Sequence, residues 1–306
     1  MKKIQLDEFS AADIDAQVSK ILRDLGNPEP PLHLEHVREL LKLDRDYYSV
    51  TDDGLFTRWI HSLKLAGKQI AKRPGFLKDF IKNFRLDALA LFDEKRILIS
   101  KDLPEPKQRW AEAHEIGHLI TPWHGPISLG DDKYTLNADC REIMEAEANY
   151  GASRLLFLRD KFKSHALSSE PTLSYVNKLK KLYGNTITTT LYSFIEMQDV
   201  PAFGLITGHP KKPDTDFDPA NPCRHFITSP IFEAQFGHIT DVHLYSILQG
   251  YCTYGKWDLG RTETILSNTR KEPHVFSMET IFNTYDALTL GVLLRRHHLL
   301  MPVPSC

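Results

Sequence analysis

Cysteine is scarce. Only four occur, Cys140, Cys223, Cys252 and Cys306, and no two of them stand in a C-x-x-C spacing. That argues against a disulfide framework and a structural zinc knuckle, and it predicts reduced thiols. Long apolar runs are also lacking. The longest are short, such as Leu89–Phe92, far below the ~20 apolar residues a membrane helix needs. No apolar stretch follows Lys2 and Lys3, so the sequence predicts no signal peptide, no membrane partner and a cytoplasmic location. Neither sign of charge dominates: 38 Lys and Arg against 40 Asp and Glu leave a net charge of −2, which gives no global pull toward nucleic acid or an acidic substrate. Repeats and low-complexity tracts are missing too, and 42% hydrophobic with 25% charged residues is a globular composition.

What is present is a chain of 306 residues, long enough for two domains. Apolar positions Ile14, Val18, Ile21, Leu22 and Leu25 recur at helical spacing until Gly26 and a proline cluster stop them. Leu34, Val37, Leu40 and Leu41 supply a second short helix. Residues 55–85 read as two helices broken at Pro74 and Gly75, with eight cations against Asp79 alone, best taken as solvated outer faces. Leu86–Phe92 and Arg96–Ser100 read as a β-hairpin. Helices follow over 106–120 and 139–158, the second opened by Asp139 and Glu142 in a capping-box pattern, with a turn-rich loop between them. Beyond about residue 200 the texture changes to prolines and short alternating stretches (Val242–Leu248, Tyr251–Trp257, His274–Phe282) that predict strands with little helix. The expected division is therefore 1–199 and 200–306.

His114, Glu115, Ile116, Gly117 and His118 form an H-E-x-x-H motif. On a helix, residues four apart lie one turn up and about 40° round, so both imidazoles can reach one metal ion. Glu115 is offset from them toward an open coordination position, where it can take a proton from a water whose pKa a metal lowers to about 7. With the 14 His and 17 Glu of this chain, chance placement gives roughly 0.04 such motifs. Trp110, Gly117 and Thr121 share the face of the two histidines, which predicts that the face turns inward. Gly117 costs about 1 kcal/mol in a helix relative to alanine, a cost best understood if another backbone passes close by.

An open catalytic site wants a third protein ligand. The 139–158 helix offers Glu142, Glu145 and Glu147. Its apolar stripe runs through Met144, Ala148, Gly151, Ala152 and Leu155. Glu145 lies about 70° from the centre of that stripe, Glu147 about 90° away on the other side and Glu142 further still. Glu145 is the better ligand, and the other two read as a solvated helix face. Asn149, one turn beyond Glu145, is placed to orient a carboxylate or a substrate backbone. His124, in the loop after the motif, is a candidate for stabilising an oxyanion or for the rim of the site.

HEIGH preceded by a strand pair and followed by EAEANYGASRLLF resembles the ImmA/IrrE family of gluzincin-type metallopeptidases, whose pattern is HExGH and then E-x-x-A-N-x-[FY]-A-x-x-L-L. Glu145, Ala148, Asn149, Ala152, Leu155 and Leu156 match, while Gly151 stands where the family has an aromatic and Tyr150 comes one position early. The resemblance covers residues 25–200. It implies a zinc ion held by His114, His118 and Glu145, with Glu115 as general base. It also implies an α+β fold with a zincin-like metallopeptidase core, a small sheet and active-site helices, here joined to a β-rich C-terminal domain. Its expected activity is limited proteolysis of a regulatory protein, typically a helix-turn-helix repressor, in phage, mobile-element, toxin–antitoxin or stress circuits. The competing expectation is a non-proteolytic metal-binding regulator with a ligand-sensing C-terminal domain.

Residues 172–182 and 187–197 themselves resemble a helix-turn-helix, yet ITTTLYSFIEM has no Lys or Arg. Phosphate contact needs cations, so a packing role and no direct nucleic-acid binding are expected. Cys223 with His225 or Cys252 lacks a complete second ligand set, and Arg295 to His298 read as a polar chain end.

Overall fold

The structure, a computed structural model, describes residues 6–48, 88–91, 95–125, 138–213, 215 and 217–296. The basic 55–85 segment, most of the loop after the motif, Asp139 as a cap, Cys140, and Cys306 with the last histidines lie outside the residues or side chains described. The fold is α+β, in two units. One comprises residues 2–159 with Tyr183–Asn185, and the other residues 160–182 and 186–306.

In the first unit, α1 (Glu8–Asp24) starts where Asp7 accepts hydrogen bonds from the Phe9 and Ser10 amides at 3.0 and 2.9 Å. It buries Ile14, Val18, Ile21 and Leu22. Next come α2 (Leu34–Leu41) and three strands: β1 (Asp44–Tyr48), β2 (Ala88–Leu91) and β3 (Arg96–Ser100). The expected hairpin is β2–β3, antiparallel. β1 has no counterpart among the elements expected from the sequence. It runs parallel to β3 on the other side, so β3 is central and Ile97, Leu98 and Ile99 are all buried.

Helix α3 (Glu105–Ile120) carries Pro106 in its first turn, where the missing N–H costs nothing. Its Glu112, 3% exposed, is held by Arg38 Nε of α2 at 2.6 Å and Arg45 Nη1 of β1 at 2.8 Å. Helix α4 (Ala138–Leu156) crosses α3 with almost no space between backbones. A Cβ on Gly117 would lie 2.4 Å from the Ala148 carbonyl oxygen, and one on Gly151 would meet Gly117 Cα and Ile14 Cγ2, each at 3.4 Å. Gly151 is thus the residue that lets three helices meet. Tyr150 beside it turns its hydroxyl to Asp15 of α1 at 3.1 Å, and Arg154 Nε reaches the same carboxylate at 2.6 Å.

The second unit contains α5 (Asp160–Ala166), most of α6 (Leu173–Tyr183), α7 (Ile187–Glu196) and a five-stranded sheet. Its strands are β4 (Ala202–Thr207), β5 (Cys223–Thr228), β6 (Asp258–Ser267), β7 (Pro273–Phe282) and β8 (Ala287–Arg296). They stand in the order β5-β4-β8-β7-β6, with every neighbouring pair antiparallel. α8 (Pro230–Phe236) and α9 (Asp241–Tyr251) connect β5 to β6.

The unit begins at Asp160, well before residue 200. The reason is α7, which buries Leu191, Phe194 and Ile195 and packs on β4 and β5. Ile195 Cδ1 occupies the place where a Gly204 side chain would stand. The helix is therefore a packing element. Gly291 on β8 likewise yields its side-chain space to the Phe203 ring, which joins Phe232, Phe236 and Phe276 in the core.

Val242–Leu248, expected as a strand, is helical. Thr240 Oγ1 accepts from the His243 amide at 3.2 Å and starts α9, whose Leu244, Tyr245 and Leu248 are buried together on a helical stripe. Tyr251 ends that helix and the residues up to Trp257 form a loop, whereas His274–Phe282 is strand, in β7.

Candidate metal centre

The two histidines of the motif lie one turn apart on α3, and the α3–α4 crossing brings Glu145 up to them. His114 Nε2 stands 3.1 Å from Glu145 Oε2, His118 Nε2 stands 3.6 Å from Oε1, and the two Nε2 atoms are 3.2 Å apart. Three donors in a tetrahedral array around an ion at about 2.1 Å are about 3.4 Å from one another. The observed triangle has that size, and the donors are two imidazoles and a carboxylate, a set that zinc accepts. Among the described residues this is the only group of three or more His, Cys, Asp or Glu side chains so assembled. Cys223 and Cys252 do not join such a group. Both are free thiols, and burial pushes them up to about 12 and about 11.

The electrostatics of the triangle are those of an anion held against imidazoles. The hydrogen bond with His114, together with the nearby His118 ring, holds the Glu145 carboxyl well below the usual carboxylate range. Burial opposes a charge on His114, but the hydrogen bond to Glu145 and the charges of Glu115 and Glu145 outweigh it and raise its pKa. Glu115 is 7% exposed, close enough to His114 for its charge to be felt there. Asn149 Oδ1 lies 3.0 Å from His114 Nδ1, so that ring donates backward to Asn149 and its Nε2 is left toward Glu145.

Two positions differ from their sequence expectation. His124 is not on a rim: its ring is fully buried, with Nδ1 3.0 Å from His118 Nδ1. Burial pushes it below the usual histidine range despite the pull of Glu147. Glu147 is not on a solvated face. It is 2% exposed, and its Oε2 accepts from Trp123 Nε1 and from His124 Nε2, each at 2.8 Å. The apolar stripe describes α4 alone, whereas the donors that bury Glu147 come from the turn after α3. A tryptophan–histidine pair just beyond the motif is the sequence signal for a carboxylate partner nearby. Glu142 is exposed, as expected.

Residues 76–193 match the family model described as the IrrE N-terminal-like domain, Peptidase M78. The match spans α3, α4 and all three triangle residues, so the segment that carries the site is similar to the IrrE N-terminal-like domain. No curated protein matches the sequence. Among solved structures, a Mycobacterium tuberculosis transcriptional regulator is similar with a TM-score of 0.50. That likeness is one of fold, at 12% identity over 92% of this chain and 88% of that one.

Proposed function

We propose that the protein is a zinc-dependent endopeptidase that cuts a regulatory protein at a limited site. The observation that carries the reading is the triangle of His114, His118 and Glu145, with the Glu115 carboxylate beside it. A zinc ion held there supplies Lewis acidity toward a substrate carbonyl and toward water. Glu115 is the general base: it takes the proton of the attacking water and returns it to the departing amine nitrogen. His114, braced by Asn149, and His118 hold their Nε2 atoms in place while this happens. A purely structural metal site has no use for such a base.

The substrate in this reading is a helix-turn-helix regulator of a phage, mobile-element, toxin–antitoxin or stress circuit, met in the cytoplasm. Among the described residues no helix is long and apolar enough to cross a membrane. Catalysis belongs to residues 1–199, and the chain beyond residue 200 restrains or selects the substrate.

The test is elemental analysis of purified protein together with Glu115→Gln. One zinc per chain is expected, retained by Glu115→Gln while cleavage of the helix-turn-helix regulator is abolished. Stoichiometric zinc in His114→Ala would refute the site. Zinc bound by wild type without any cleavage would favour the non-proteolytic regulator instead.

A further inference from the structure

Glu147 and His124 take no part in the proposed reaction, yet they are buried against a residue that does. The chain of contacts runs from His118 Nδ1 to His124 Nδ1 at 3.0 Å, and from His124 Nε2 to Glu147 Oε2 at 2.8 Å. The same oxygen is 2.8 Å from Trp123 Nε1. Both the His124 ring and the Glu147 carboxylate are shielded from solvent.

With His124 neutral, proton counting along this chain leaves one arrangement. An indole nitrogen only donates, so Glu147 Oε2 is an acceptor, and His124 Nε2 must carry the hydrogen that it shares with that oxygen. In a neutral His124 the Nδ1 is then bare. The nitrogen facing it, His118 Nδ1, must therefore carry a hydrogen, which leaves His118 Nε2 bare on the side of His114 and Glu145. The opposite tautomer of His118 would set two lone pairs against each other across 3.0 Å and place a hydrogen on the atom that points at the triangle.

Resting on the metal-centre reading above, we propose that Glu147 and His124 are positioning residues, a buried carboxylate–imidazole pair that locks His118 in the tautomer able to bind a divalent metal ion. Asn149 does the corresponding work for His114. α4 thus grips His118 from both edges of its ring, directly through Glu145 and through His124 by way of Glu147.

The experiment reads metal affinity and tautomer, with Zn2+ itself as probe. Wild type, His124→Phe and Glu147→Gln compete for zinc against a chromophoric chelator, and multiple-bond 15N spectra of the metal-free wild type at about pH 8 report which imidazole nitrogens carry hydrogen. Loss of such a supporting partner lowers metal affinity about 10–100-fold, and that is expected for His124→Phe. Glu147→Gln should recover affinity to within a few-fold of wild type, because its amide oxygen can accept from both Trp123 and His124. His118 should show a protonated Nδ1 and a bare Nε2. A folded His124→Phe with wild-type zinc affinity, or a wild type with hydrogen on His118 Nε2, overturns the proposal while leaving the metal centre standing. A wild type that binds no zinc overturns both. Should His124→Phe fail to fold, the wild-type spectrum alone decides.

Discussion

Replacing Gly117 by alanine separates two opposing effects. Within a helix, alanine is favoured over glycine by about 1 kcal/mol, so an unhindered Gly117→Ala would stabilise the protein. Here the added Cβ would stand 2.4 Å from the Ala148 carbonyl oxygen, 3.1 Å from its carbon and 3.2 Å from its Cα, where ordinary contact begins at 3.4 Å. The obstacle is backbone, which no rotamer change can move, so α3 and α4 must part by about 1 Å, a strain worth about 1–3 kcal/mol. Taken near its upper end, because backbone resists, the net expectation is a loss of about 2 kcal/mol in urea denaturation of the metal-free variant. The same displacement carries Glu145 away from His114 and His118, whose present separations of 3.1 and 3.6 Å already suit a shared ion. Zinc affinity should fall at least about tenfold, equivalent to ~1.4 kcal/mol. A variant about 1 kcal/mol more stable than wild type, with unchanged zinc affinity, would refute the reasoning.

Two further outcomes follow from charged groups. His114 is raised above its ordinary 6.5, so its contribution to metal-free stability is full below that value and is lost as pH rises through the raised pKa. Glu145 is depressed below its ordinary 4.5, so its contribution is present above that value and lost only in strong acid. Chelator-treated wild type should therefore lose more stability between about pH 6 and pH 8 than His114→Gln does; equal losses in paired urea titrations would contradict the electrostatic account. Glu112→Ala strips the carboxylate from Arg38, whose side chain is 13% exposed, and from Arg45, which is 30% exposed. Because Arg45 can turn to water, the cost should lie near the low end for a broken buried pair, about 3 kcal/mol, and a urea measurement below about 1 kcal/mol would argue against it.

Features that depend on one segment were readable from that segment. The helical stripe of α1, the β2–β3 hairpin and the spacing that lets His114 and His118 share a partner all repeat at the period of their own element. Gly117 implied a close backbone, and Ala148 provides it. What escaped depends on distant chain. β1, with the sequence DRDYY, has no apolar alternation and is a strand because β3 offers it a parallel edge. Val242–Leu248 alternates like a strand but also fits a helix, and the Thr240 cap with burial of Leu244 and Leu248 decides the matter. Glu147 reads as solvated on its own helix, since nothing local announces that Trp123 and His124 will close over it.

The strand order of the second unit has a consequence for how the chain is made. β8, last to be synthesised among the described strands, lies between β4 and β7. Until Ala287–Arg296 has left the ribosome, β4–β5 and β6–β7 are two separate hairpins, each with an open hydrogen-bonding edge. The helices bearing His114, His118 and Glu145 are complete at Leu156, so at ordinary elongation rates they precede closure of the sheet by on the order of ten seconds. A nascent chain thus displays its ligand-bearing helices while its second sheet is still unjoined, and a message broken before the codon for Ala287 yields a product with two unpaired sheet edges and no strand to bridge them.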